Sequence, residues 1–88
     1  MYKVSNNTVS INYNYNETLS DKLIDIIKNN TNLIFANYDI NSSIKYLTES
    51  FFNQLVNNLP KTITHLTFRY FFNQLVNNLP NNIINLIF

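Results

Sequence analysis

Apolar and polar residues alternate near the N-terminus. Val9, Ile11, Tyr13 and Tyr15 are interleaved with Ser10, Asn12, Asn14 and Asn16. A period of two marks a strand with one buried face. Asn6-Asn7 suits a two-residue turn with positive φ, so residues 1–16 are predicted to form a β-hairpin. That turn pairs Val4 with Val9 and Tyr2 with Ile11, placing apolar side chains on one face. The period then lengthens. Leu19, Leu23, Ile26 and Ile27 stand at i, i+4, i+7 and i+8, one stripe of a helix predicted over 18–29. Thr18 and Asp21 offer a capping pair at its start, and Asn29-Asn30 a left-handed stop at its end.

From residue 31 short apolar runs recur. Asn32-Leu33-Ile34-Phe35 returns letter for letter as Asn85-Leu86-Ile87-Phe88. The decapeptide 51–60, Phe-Phe-Asn-Gln-Leu-Val-Asn-Asn-Leu-Pro, returns as 71–80, a spacing of 20 residues. A fixed period of this length means one supersecondary unit per repeat, each stacked on the last. The two best-matched units carry Ile63-x-x-Leu66-x-Phe68 and Ile83-x-x-Leu86-x-Phe88. Apolar residues at positions 1, 4 and 6 are the strand signature of leucine-rich-repeat solenoids, because positions 4 and 6 of a strand point to one side.

Parallel strands are therefore predicted near 32–36, 45–49, 64–69 and 84–88. The fold class expected is α/β: a short leucine-rich-repeat-like parallel β-solenoid of about four strands, capped by an N-terminal β-hairpin and one α-helix. Residues 1–30 form the cap and 31–88 the repeats, with 51–70 and 71–88 the best units. The chain stops at Phe88 inside the last predicted strand, so self-association through an uncapped C-terminal repeat is expected.

Composition sharpens this picture at a few points. There is no Gly, so the abundant Asn is expected to serve at turns. Charged residues make up only 12 % of the chain, and the six basic ones are scattered. A phosphate-binding surface needs clustered Lys and Arg, so no nucleic-acid partner is expected. The chain lacks Cys, which rules out disulfides and thiolate metal sites. Apolar runs are too short to cross a membrane, and Met1-Tyr2-Lys3-Val4-Ser5 is not an apolar leader. The expected setting is intracellular, with no membrane partner.

Candidate chemistry is sparse. His65 is the single histidine and has no carboxylate or second His at ligand-like spacing. Asp21 and Asp25 are four apart on the helix, but Lys22 and Lys28 beside them indicate a solvated face. There is no nucleophile with a base and no Gly-rich phosphate loop, so no enzyme is expected and no catalytic, cofactor or metal residue is assigned. If Leu66 and Phe68 point inward, then His65, Thr67 and Arg69 point outward. Tyr46 and Thr48 would flank them on one neighbouring strand, and Asn85 and Ile87 on the other. These seven form the candidate surface for a protein partner. Asn53, Asn73, Gln54 and Gln74 are expected to be stacked amides that satisfy turn backbone. Phe51, Phe52, Phe71 and Phe72 are expected to pack in stacks.

The unit Phe52-Asn53-Gln54, Leu59-Pro60 and Ile63-Thr64-His65-Leu66-Thr67-Phe68 resembles the FNIP repeat, a leucine-rich-repeat relative of social amoebae and giant amoeba-infecting DNA viruses. The likeness covers residues 40–88, with an echo at 32–36. Leu55 and Leu75 stand where that family has Pro, and Arg69 where it favours Gly. The resemblance implies a protein-binding repeat module, in the host cytoplasm if the source is viral. Many members carry an F-box, a docking element for ubiquitin-ligase adaptors. Leu19-Ser20-Asp21-Lys22-Leu23 with Ile27 is similar to its opening, though Ser20 replaces Pro. The alternatives are thus a substrate adaptor docking through 17–30, or a degenerate repeat fragment without function.

Overall fold

The computed structural model describes residues 1–43, 48–69, 71–74, 76 and 79–88. Among them one short helix and a five-stranded mixed sheet form an α/β fold. The elements are β1 (Tyr2–Ser5), β2 (Thr8–Ile11), α1 (Asp21–Ile27), β3 (Asn32–Phe35), β4 (His65–Thr67) and β5 (Asn85–Ile87). The sheet order follows the chain, β1-β2-β3-β4-β5. Only the β1–β2 pair is antiparallel; β2, β3, β4 and β5 run parallel.

The hairpin forms in the expected register, Tyr2 opposite Ile11 and Val4 opposite Val9. Asn6 and Asn7 take φ of 52° and 61°, the double left-handed turn that the flanking twist favours. The hairpin is not a separate cap, however. β2 pairs in parallel with β3, Val9 beside Leu33 and Ile11 beside Phe35. The reason lies in the apolar spacing. Val9-x-Ile11 has the same two-residue interval as Leu33-x-Phe35 and Leu66-x-Phe68, so it supplies an equivalent strand.

The predicted strand at 45–49 has no place between its neighbours, because β3 bonds directly to β4. Residues 45–47 of that segment lie outside the described residues, and Thr48 and Glu49 are exposed and in no strand. The Thr48 N–H instead donates to the Asn37 carbonyl at 2.6 Å. The described residues 36–43 and 48–50 are in no strand, and the equivalent positions Thr31 and Thr64 are 33 apart rather than 20. The strands are also shorter than predicted, three or four residues each.

Inward side chains of the sheet meet α1 and the turns behind it. Val9, Ile11, Leu33, Phe35, Leu66 and Phe68 are buried with Leu19, Leu23 and Ile27 in one cluster. The aromatic side chains stack from unit to unit. Phe35 lies 4.0 Å from Phe52 and 5.4 Å from Phe68, both near-parallel, and Phe68 lies 3.7 Å from Phe72. Tyr15, Phe52 and Phe72 form a second file at 6.2 Å intervals. Burial declines along the stack: Leu66 is 1 % exposed, whereas its counterpart Leu86 is 37 % exposed.

Both helix ends differ from the sequence reading. The N-cap is Ser20, not Thr18: Ser20 is extended, and its Oγ accepts from the Leu23 N–H at 3.2 Å. The Thr18 carbonyl is used elsewhere, as acceptor for the Tyr15 hydroxyl at 3.0 Å. Replacing Ser20 by Ala is expected to cost about 1 kcal/mol in urea unfolding. Thr18→Ala is expected to change stability by less than about 0.5 kcal/mol. The reverse order would show that Thr18 caps the helix. At the other end no left-handed residue occurs, since Asn6 and Asn7 alone have positive φ among the described residues. Asn29 and Asn30 stop the helix with their side chains, donating Nδ2–H to the Asp25 and Ile26 carbonyls at 3.3 and 2.9 Å.

Candidate functional site

Strand register places the outward side chains in two rows. The first runs Ser5, Thr8, Asn32, His65, Asn85, and the second Lys3, Ser10, Ile34, Thr67, Ile87. With strands about 4.8 Å apart, five strands span roughly 19 Å. The first row is wholly polar. Ile34 and Ile87 give the second a discontinuous apolar strip. Lys3 and His65 are the ionisable groups in these rows, and no carboxylate stands among them.

His65, Thr67, Asn85 and Ile87, four of the seven predicted residues, come together on this face. His65, Asn85 and Ile87 are exposed and Thr67 is half-buried. Tyr46 lies outside the described residues. Thr48 is exposed but in no strand, so it does not extend the rows. Arg69 follows β4 and is half-buried. Its Nε is buried and has no hydrogen-bond partner among the described residues.

Local bonds hold the polar row in place. Asn32 Nδ2 donates to Thr8 Oγ1 at 3.2 Å. The Thr64 hydroxyl reaches the Thr31 carbonyl at 3.4 Å and His65 Nδ1 at 2.9 Å. A hydroxyl has one hydrogen. When that hydrogen goes to Thr31, His65 Nδ1 is the donor and Nε2 keeps a lone pair for a partner. Lys3 Nζ is anchored on the Ile40 carbonyl at 3.2 Å. The Ile40 N–H in turn donates to the buried Asn12 side chain at 3.0 Å.

The residues that sequence reasoning missed are those of β2 and β3: Thr8, Ser10, Asn32 and Ile34. The signal was present twice, in the Val9-x-Ile11 interval and in Tyr15-Asn16, which stand where later units have Phe52-Asn53 and Phe72-Asn73. The amide positions confirm that equivalence. Asn16 Oδ1 accepts the Asn53 N–H at 2.9 Å and Gln54 Nε2 at 3.0 Å. Asn53 Oδ1 accepts the Asn73 N–H at 2.8 Å and Gln74 Nε2 at 3.0 Å. The Asn and Gln side chains are thus the stacked amides expected from their repetition.

Away from this face, an open hollow of about 530 Å³ is lined by Met1, Asn12, Asn14, Tyr15, Asn16, Glu17 and Asn41. Burial, with the Glu17 charge adding to it, raises the Tyr15 hydroxyl above its ordinary pKa and keeps it a donor to Thr18. Among the described residues no three His, Asp or Glu side chains gather as a metal site. Among the same residues no helix is long and apolar enough to cross a membrane. No protein-family model, no curated protein and no solved structure matches the chain.

Proposed function

We propose that the chain is a non-enzymatic protein-interaction module, a short leucine-rich-repeat-like β-solenoid of the FNIP-repeat type, that binds a protein partner on the outward face of its sheet. The observation that carries this reading is the pair of outward rows through His65 and Thr67. They are in register over five strands and mix amides, hydroxyls, one imidazole and two isoleucines. Surfaces that combine adaptable hydrogen-bonding groups with apolar contacts suit protein partners, and sheet faces of stacked repeats are used in this way. The repeated ladder of amides and rings supports the solenoid reading, since each unit satisfies the backbone of the next.

The adaptor alternative is disfavoured by one observation. It needs the Leu19–Ile27 stripe for docking, and Leu19, Leu23 and Ile27 are 3 %, 3 % and 0 % exposed, packed in the core. A stripe already buried cannot be offered to a partner without unfolding the helix from the sheet.

The test is affinity capture from amoeba lysate with three baits: the parent chain, His65→Ala/Thr67→Ala, and Lys22→Ala/Asp25→Ala on the exposed side of the helix. A specific partner is expected with the parent and the helix variant, and at least tenfold less with the sheet variant, on the order of two lost interface contacts. Loss with the helix variant alone, recovering a ubiquitin-ligase adaptor, would move the site to α1. No specific partner for any bait would contradict the proposal.

A further inference from the structure

We propose that the open hollow of about 530 Å³ beside residues 12–17 is a binding site for a neutral polyhydroxyl ligand, a sugar ring. Its volume lies within the range of small-molecule pockets, about 300–1,000 Å³. Its lining carries the mixture of hydrogen-bonding groups that such a ligand needs. Asn12, Asn14, Asn16 and Asn41 supply amides, Glu17 a carboxylate and Tyr15 its ring.

The carbonyl ends of two of these amides are already engaged. Asn14 Oδ1 accepts from Asn12 Nδ2 at 3.1 Å. Asn16 Oδ1 accepts the Asn53 N–H at 2.9 Å and Gln54 Nε2 at 3.0 Å. Those bonds orient both amides and leave Nδ2 of Asn14 and of Asn16 without a partner among the described residues. Asn12 is buried and fastens residues 39–41 beside the hollow. Its Oδ1 accepts the Ile40 N–H at 3.0 Å, and Asp39 Oδ1 accepts the Asn41 N–H at 3.0 Å. The Tyr15 hydroxyl is committed to the Thr18 carbonyl at 3.0 Å, so Tyr15 offers carbon surface rather than a donor. All of these groups come from residues 12–17 and 39–41.

Two N–H donors on each of the two Nδ2 atoms, beside one carboxylate, select the ligand class. A hydroxyl accepts from an amide N–H and donates to a carboxylate through one atom, and vicinal hydroxyls on a ring repeat that pairing. An anion would meet the amides but also the Glu17 charge, with no Lys, Arg or His side chain in the lining. An ammonium or guanidinium would satisfy Glu17 but bring no acceptor to Asn14 and Asn16. A free sugar and the end sugar of a glycan share the chemistry that fits. The hollow is separate from the outward rows, so it does not depend on a protein partner there.

The probes are glucose, galactose, mannose and N-acetylglucosamine, each titrated into the intact chain and followed by amide NMR shifts. Their methyl glycosides, blocked at the anomeric oxygen as in a glycan, form the second arm. Saturable shifts in residues 12–17 and 41 are expected with at least one sugar. Equal affinity for its methyl glycoside identifies a glycan end, and loss of affinity identifies a free sugar; either result supports the site. Glu17→Ala is expected to weaken binding about tenfold or more, the effect of one lost hydrogen bond to a charged group. Asn14→Ala is expected to weaken it about two- to tenfold. Glu17 and Asn14 are exposed, so neither substitution opens the core. Glu49→Ala, at an exposed carboxylate outside the hollow, and His65→Ala/Thr67→Ala are expected to bind as the parent does. Absence of saturable shifts with every probe, shifts that fall only outside residues 12–17 and 41, or undiminished binding by Glu17→Ala would overturn the proposal.

Discussion

Replacing Phe68 by Ala is expected to lower the thermal midpoint by at least about 12 °C, followed by circular dichroism. Phe68 is fully buried and is the ring on which the stack converges, with Phe35, Phe72 and Phe88 at 5.4, 3.7 and 5.7 Å. Removing a buried Phe costs about 3–5 kcal/mol. An 88-residue domain holds only about 4–13 kcal/mol in total. Each kcal/mol shifts the midpoint of a chain this size by about 4–8 °C. The contrast is Phe51→Ala. Phe51 is 44 % exposed, and among the described residues its ring makes tilted contacts with Tyr13 and Phe71, at 6.0 and 5.7 Å. Its loss is expected to cost about 0.5–1.5 kcal/mol per ring pair. Equal effects at the two positions would mean that the ring stack does not organise the core.

Asn53→Ala is expected to have the largest effect among the polar residues, about 1–3 kcal/mol in urea unfolding for two lost hydrogen bonds. Both bonds come from the next unit, so the loss should be local. Amide exchange is expected to speed up in Asn73, Gln74 and 85–88 before it does so in β2 and β3. Asn16→Ala removes the equivalent pair one unit earlier and should loosen residues 53–54 instead. Asn58→Ala, at an exposed position, is expected to stay within about 0.5 kcal/mol. Uniform faster exchange over the whole chain after Asn53→Ala would contradict a unit-by-unit ladder.

These two substitutions also mark how far the chain could be read without coordinates. The hairpin was legible because turn chemistry and strand alternation specify the same register: Asn6-Asn7 fixes which residues pair, and Val9 and Ile11 fix which face is buried. Strands β3, β4 and β5 were legible from the Leu-x-Phe interval, and the Asn53–Gln54 clip from its repetition. The strand expected at 45–49 rested on the local propensity of Lys45-Tyr46-Leu47-Thr48, and most of it lies outside the described residues. Its place in the strand order also needs a vacant edge, and β3 and β4 leave none between them. The helix cap was misplaced by two residues because Thr18 and Ser20 are equally good caps in isolation. In the structure the Ser20 hydroxyl accepts the Leu23 N–H, while the Thr18 carbonyl accepts the Tyr15 hydroxyl. The candidate face was half legible. Its β4 and β5 residues followed from inward Leu66 and Phe68. Its β3 residues were missed because the strand expected at 45–49 was set beside β4, and its β2 residues because the hairpin was read as a cap although Val9-x-Ile11 repeats the Leu33-x-Phe35 interval.

That pairing makes residues 8–30 the first unit of the stack, with α1 occupying the place that turns occupy in later units. The helix is there for packing. Its apolar stripe closes the open end of the aromatic core, and its polar side carries Asp21, Lys22 and Asp25 to solvent. The outward rows lie on the other side of the sheet.

The measurement that tests the proposed binding face most directly is amide hydrogen exchange on the chain alone and with a protein captured in the affinity experiment. Protection on binding is expected in Asn32–Phe35, His65–Thr67 and Asn85–Ile87, with Asp21–Ile27 unchanged. Protection confined to Asp21–Ile27 would contradict the account and place recognition on the helix.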